Sequence, residues 1–241
     1  MPTDDTRPTL PISETFVSVQ GEGKLTGVPS WFCRVSGCNL RCGWCDTPYA
    51  SWDPSGARRA VADLLAEARG SGVAHAVLTG GEPMIFTEVA ALARGLRDAG
   101  MHVTVETAGT AWLDDLACDL MSISPKLANS TPANDARDPT GAWAARHDER
   151  RHRPEIVSRL LGASADRQLK FVVTSPGDMP EIEGVLAEYE GWTADDVILM
   201  PEGVSVPEPG AVAWVVEACR QRGWRYGHRL HIQLFGNTRG T

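Results

Sequence analysis

The sequence predicts an α/β protein with a mostly parallel sheet of six or more strands, which could close or partly close into a TIM-like β/α barrel. Three observations carry this expectation. Short strand-like runs alternate with helical segments along the 241 residues, the order that right-handed crossovers turn into a parallel sheet. The helical segment at 57–69 places Val61, Leu64, Leu65 and Ala68 at i, i+3, i+4 and i+7, a stripe suited to packing on a sheet. Four strands end in polar or glycine-rich turns, and in parallel sheets ligands sit at those carboxyl ends.

In chain order, strands are predicted at "ETFVSV" and "SWFCRV", followed by the helix over 57–69. Next come "HAVLTG", a helix over 87–99, then "HVTVET" and "LMSISP". A helix over 153–161 precedes "LKFVVT", a helix over 178–190 precedes "DVILMP", and a helix over 207–222 precedes "RLHIQL", read as a last strand. Gly100 and Gly223 fall just after predicted helices, where a left-handed cap is wanted. The turns "TGGEP", "ETAGT", "SPK" and "MPEG" would then surround one pocket, although βα turns use such residues in any case. The stretch 127–152 lacks a pattern and is long for a connection, so it reads as an insertion or lid. His147 and His152 within it read as solvated. No Gly- or Pro-rich linker divides the chain, which predicts one domain over 1–241 with residues 1–12 flexible.

Composition narrows the class. Apolar residues make up 42% and charged residues 22%, enough for a core without disulfide staples. The excess of 31 acidic over 23 basic side chains disfavours a general nucleic-acid surface. Apolar runs such as "AVAWVV" are far too short to span a bilayer. The opening "MPTDDTRPTLPI" lacks the basic and apolar regions of a signal peptide. A cytoplasmic location follows, where clustered cysteines bind metal more often than they pair.

Three of the six cysteines lie in "GCNLRCGWCDT" as Cys38-x3-Cys42-x2-Cys45. Three thiolates suit zinc with a fourth ligand, or three irons of a [4Fe–4S] cluster with one iron left open. Cys33 alternates with Trp31 and Val35 on one face of its strand, away from Phe32 and Arg34, and reads as a packing residue. Cys118 and Cys219 are isolated in apolar surroundings.

The spacing, with Trp44 before the last cysteine, resembles the signature of the radical S-adenosylmethionine (SAM) enzymes. "VSVQGEG" at 17–23, "FCRVSGCNLRCGWCDT" at 32–47, "TGGEP" at 79–83, "VETAGT" at 105–110, "SPK" at 124–126 and "RLHIQLFGNTRG" at 229–240 together resemble the 7-carboxy-7-deazaguanine synthases. The resemblance implies a partial barrel of the radical SAM type. It implies rearrangement of 6-carboxy-5,6,7,8-tetrahydropterin to 7-carboxy-7-deazaguanine with loss of ammonia, on the route to queuosine-type 7-deazapurines. It also implies SAM, a [4Fe–4S] cluster and Mg2+ as cofactors, a reduced flavodoxin or ferredoxin-type electron donor, and a homodimer. Two other readings share the cysteines: a radical SAM activase acting on a protein glycine, and a zinc-stabilised binding module.

Site residues follow from the resemblance. Cys38, Cys42 and Cys45 would hold the cluster, and SAM would chelate the open iron. Gly80 and Gly81 would let the backbone approach the methionine end of SAM, with Glu82 accepting from its ammonium. Glu106, Ser124, Pro125 and Lys126 would hold ribose and carboxylate, and Met200, Pro201, Glu202 and Gly203 would flank the adenine. Thr47 offers a hard oxygen for Mg2+, although without the resemblance a turn or helix cap is the better account of "DTP". Arg34 would grip the substrate carboxylate, with an internal salt bridge as the competing account. Val19, Gln20, Gly21, Glu22 and Thr79 would face the pterin. His231 and Gln233 would share one strand face toward it, followed by Asn237.

Overall fold

The computed structural model describes residues 7–241. In chain order these residues form β1 (Thr9–Val19), β2 (Pro29–Val35), α1 (Pro48–Ser51), β3 (Ala57–Ala60), α2 (Val61–Gly70), β4 (His75–Gly80), α3 (Glu88–Asp98) and β5 (His102–Thr107). Then follow β6 (Leu120–Ile123), α4 (Ala142–Arg151), α5 (Pro154–Ala163), β7 (Asp166–Val173), α6 (Met179–Glu188), β8 (Val197–Pro201), α7 (Pro209–Arg222), β9 (Arg225–Tyr226) and α8 (Leu230–Phe235).

Among the described residues the strands make one nine-stranded sheet in the order β3-β1-β2-β4-β5-β6-β7-β8-β9. From β2 to β9 every pairing is parallel. At the other edge β1 runs antiparallel to both β2 and β3. No pairing joins the edge strands β3 and β9, so the sheet is open rather than closed.

Strand alternation sorts the side chains. On β2, Trp31, Cys33 and Val35 enter the hydrophobic core, while Phe32 and Arg34 face a cavity on the other side. On β7, Leu169, Phe171 and Val173 enter the same core, and Lys170 and Val172 face the cavity. The helices supply the rest of the core: Leu64 of α2, Leu92 and Leu96 of α3, Leu160 and Leu161 of α5, and Ile182 of α6 are buried in it. Cys33 is a packing residue, fully buried in this core. No described helix is long and apolar enough to cross a membrane.

Four expectations are corrected. Residues 1–6 of the flexible start lie outside the described residues, but Thr9 to Ile12 already pair in β1, with Leu10 and Ile12 buried. The helix expected over 57–69 begins at Val61, because residues 57–60 pair with β1 as the edge strand β3. "RLHIQL" is a helix rather than a strand. Its Leu230 N–H donates to Gly21 O at 2.9 Å, which docks α8 on the loop after β1 instead of on a sheet edge. The stretch 127–152 contains α4, and His147 there is fully buried rather than solvated. His152 is partly exposed and pairs with Glu188 at 3.0 Å.

Candidate active site

A cavity of about 450 Å3 opens at the carboxyl ends of the parallel strands, within the range of small-molecule sites. Six of the parallel strands contribute: Arg34 from β2, Thr79 and Gly80 from β4, Glu106 and Thr107 from β5, Ser122 from β6, Lys170 from β7 and Met200 from β8. The cysteine loop after β2 forms part of the wall, with Cys38, Cys42, Cys45 and Thr47 all lining the cavity.

The loop is tied to the turn after β4. Gly37 N–H donates to Ala50 O at 2.9 Å, and Glu82 N–H donates to Gly37 O at 2.9 Å. A Cβ on Gly81 would lie 2.1 Å from Gly37 O and 2.6 Å from Ala50 O. Both are backbone atoms, so only glycine allows this approach. Gly81 of "TGGEP" therefore serves the seating of the cysteine loop, whereas a Cβ on Gly80 would meet Val35 of β2. Burial pushes the Cys38 and Cys42 thiols up to about 12. They are neutral as described, and thiolate ligation would release their protons. Among the described residues no group of three or more His, Cys, Asp or Glu converges to hold a single metal ion. In a [4Fe–4S] cubane each cysteine binds a different iron, and three thiols that line one cavity suit that chemistry.

A charged cluster lines the same cavity. Lys170 Nζ is 2.9 Å from Glu22 Oε2 and 3.3 Å from Glu106 Oε1, and is almost wholly buried. Burial opposes its charge, but the two carboxylates outweigh that and raise its pKa. Glu22 is likewise opposed by burial, yet Lys170, Arg229 and His231 bring it down to about 2. Gln20 Nε2 donates to Glu106 Oε1 at 3.2 Å, and Thr79 Oγ1 reaches Glu106 Oε2 at 3.5 Å. Arg229 Nε lies 3.3 Å from Glu22 Oε1. Sequence reasoning missed Lys170 and Arg229. The signal for Lys170 was present, since it is the one charge in the run "LKFVV".

Arg34 lines the cavity with its Nε on Glu14 Oε1 at 2.7 Å. The internal salt bridge is thus real. Among the described residues, however, the two terminal nitrogens of its guanidinium make no hydrogen bond. Glu14 also accepts from Tyr49 Oη at 2.8 Å and from Arg239 Nε at 3.0 Å. Thr47 occupies the position before α1, yet its hydroxyl makes no cap hydrogen bond and lies 3.8 Å from Cys45 Sγ. Ser124 and Lys126 line the cavity together, with Lys126 Nζ donating to Ser124 Oγ at 2.8 Å. Val19, Gly21, His231 and Asn237 also line it. A Cβ on Gly21 would lie 2.0 Å from His231 Nδ1, so glycine there admits the imidazole.

Other expected residues are not brought into this cavity. Glu82 is fully buried and does not line it. Its carboxylate accepts from Met84 N–H, the Thr107 hydroxyl and Ala108 N–H, which ties the ends of β4 and β5 together. Pro125 is absent from the lining. Pro201, Glu202, Gly203 and Gln233 instead line a neighbouring cavity of about 50 Å3, and Met200 lies on both. Because α8 is a helix, His231 and Gln233 do not share a face.

The chain matches the model of the Radical SAM superfamily over residues 33–175. It is 51% identical to the 7-carboxy-7-deazaguanine synthase of Rhodopirellula baltica, over 96% of this chain and 89% of that protein. It is 48% identical to the 7-carboxy-7-deazaguanine synthase of Halobacterium salinarum, over 97% of this chain and 93% of that protein. The crystal structure of QueE from Escherichia coli superposes with a TM-score of 0.63 at 26% identity, over 92% of this chain and 95% of that one. The chain belongs to the radical SAM superfamily and, within it, to the family of the 7-carboxy-7-deazaguanine synthases.

Proposed function

We infer that the chain catalyses the rearrangement of 6-carboxy-5,6,7,8-tetrahydropterin to 7-carboxy-7-deazaguanine with release of ammonia, a step of queuosine-type 7-deazapurine biosynthesis. The observation that carries this is a single cavity lined by two unlike sets of residues: the three cysteines, and the polar and charged side chains of Arg34, Glu22, Lys170, Glu106, Gln20 and His231.

Cys38, Cys42 and Cys45 would hold a [4Fe–4S] cluster. When bound, the cluster and SAM supply one-electron cleavage of SAM and hence hydrogen abstraction. Ser124, Lys126, Glu106 and Met200 would hold SAM, and Gly81 would contribute through the backbone. The terminal guanidinium nitrogens of Arg34 are available for the substrate carboxylate, while Glu14 fixes the stem. Glu22 stays ionised and can accept from N–H groups on the pterin edge. Gln20, Thr79, Val19 and Gly21 would complete that edge. Thr47, with a hydroxyl that caps nothing, is the proposed Mg2+ ligand.

The open sheet is read as a partial barrel and the chain as one domain, since one sheet carries all nine described strands. A reduced flavodoxin or ferredoxin-type donor, a homodimer and a cytoplasmic location complete the reading, on the strength of the family. The test is anaerobic incubation with SAM, a reductant, Mg2+ and the carboxytetrahydropterin. The expected product has the mass of the substrate less one ammonia; unchanged substrate beside cleaved SAM would overturn the assignment.

A further inference from the structure

The stretch 127–152 does not line the cavity, yet it touches the cysteine loop at several points. Arg150 Nη1 donates to Asn39 O at 3.2 Å. Gly43 N–H donates to Ser130 O at 2.9 Å, and Arg137 Nη2 donates to Gly43 O at 2.9 Å. Trp44 Nε1 donates to Asn129 O at 3.0 Å. Arg137 also stacks 4.1 Å from the ring of Trp52, whose indole N–H donates to Cys42 O at 2.9 Å.

His147 makes the central contact. Its imidazole is fully buried. Arg41 N–H lies 3.2 Å from Nδ1, and Ser130 Oγ lies 2.8 Å from Nε2. The directions of these bonds are fixed by chemistry. A backbone N–H only donates, so Nδ1 accepts and Nε2 carries the proton. Ser130 Oγ then accepts from Nε2 and gives its own proton to Leu127 O at 2.6 Å. Every polar atom of the relay is satisfied, and it ends on the backbone between Cys38 and Cys42.

We propose that His147 is a positioning residue for the cluster, and that 127–152 is a clamp on the cysteine loop rather than a lid over the cavity. The proposal rests on reading Cys38, Cys42 and Cys45 as cluster ligands. The imidazole holds the peptide at Arg41, and with it the spacing of the sulfurs on either side, before and after a cluster is loaded. Asparagine at 147 places an acceptor oxygen close to where Nδ1 stands, so it keeps the bond to Arg41 and loses the one to Ser130. Leucine keeps neither.

The test uses the full chain, reconstituted anaerobically with iron and sulfide, as wild type, His147→Leu, His147→Asn and Ser130→Ala. The readouts are iron retained against a chelator and the change in the reduced cluster's electron paramagnetic resonance signal on adding SAM. Of the two bonds that leucine lacks, the one to Arg41 N–H reaches the cysteine loop, and its loss corresponds to roughly five- to tenfold faster iron loss. That is expected for His147→Leu, with a broadened or weakened response to SAM. His147→Asn should recover most of the wild-type signal, which a general packing defect would not. Ser130→Ala, which leaves the imidazole in place, should fall between and decides the matter if His147→Leu does not fold. A wild type that takes up no cluster overturns the ligand assignment itself. A wild type that loads, beside variants with the same iron retention and the same SAM response, overturns the clamp alone.

Discussion

Lys170 on β7 and Glu22 in the loop after β1 are 148 positions apart in sequence and 2.9 Å apart in space. Both line the cavity, and their pairing sets part of the charge that a substrate would meet there. Glu106, 3.3 Å from the same ammonium, shares it. Replacing Lys170 with methionine takes from Glu106 its ion-pair partner and leaves Glu22 with Arg229 alone. Breaking a buried pair in this way costs about 3–5 kcal/mol. A lowered melting temperature, with a further loss of affinity for the carboxypterin, is expected in a thermal scan and a binding titration. Unchanged stability would show that the pairing contributes nothing net.

The same cluster fixes a pH dependence. Glu22 in the folded chain titrates near 2, below its ordinary 4.5. A carboxylate lowered in this way stabilises the fold above its unfolded pKa, and that contribution fades as pH falls from about 4.5 toward 2. Lys170 is shifted up from its ordinary 10.5, so its contribution is fully present below that value and lost only as pH rises beyond it. Denaturant unfolding should therefore show no contribution of this pair to the pH dependence between about 6 and 9. Glu22→Gln should flatten the acid limb relative to wild type; a parallel acid limb would contradict the assigned shift.

Arg34 lines the cavity and is held by Glu14 through Nε, and among the described residues its terminal nitrogens make no hydrogen bond. Lysine keeps the charge but cannot present two parallel donors. Arg34→Lys is expected to raise KM for the carboxypterin about tenfold, equivalent to about 1.4 kcal/mol, with little change in the SAM concentration needed. Glu14→Gln should move KM in the same direction by loosening the stem. An unchanged KM in both variants would remove Arg34 from the substrate's carboxylate.

Thr47→Val deletes a hydroxyl that caps no helix N–H. Stability should stay within about 0.5 kcal/mol of wild type. Iron content should be unchanged, and the activation by Mg2+ should weaken. A Mg2+ response identical to wild type would exclude Thr47 as the ligand.

How far the sequence disclosed these features depended on whether the signal was local. The strands β2, β4, β5, β7 and β8 were legible because strands buried in a parallel sheet read as apolar runs. Cys33 and Arg34 were sorted correctly to opposite faces by simple alternation. The strand β3 was hidden because "ARRA" is half charged and pairs only at the sheet's edge. The last segment misled because Leu230, Ile232 and Leu234 alternate with polar residues, a strand period that docking on Gly21 overrides. His147 sits among Arg146, Asp148 and Glu149, so its neighbours suggest solvent. Its burial comes from a partner loop more than a hundred positions away, which no local pattern encodes. Glu82 reads as a ligand residue in its motif, yet its oxygens are committed to Met84, Thr107 and Ala108.

The three-cysteine loop and the charged side chains of Arg34 and Lys170 line one cavity, and on the proposed function they form one site for one reaction. The most direct measurement is ammonia released per chain from the carboxytetrahydropterin, under anaerobic conditions with SAM, reductant and Mg2+. Wild type and a folded Cys42→Ala variant are compared side by side. Wild type is predicted to release one ammonia for each 7-carboxy-7-deazaguanine formed, and Cys42→Ala neither. Equal release by the two would contradict the account, because the chemistry would then proceed without the loop.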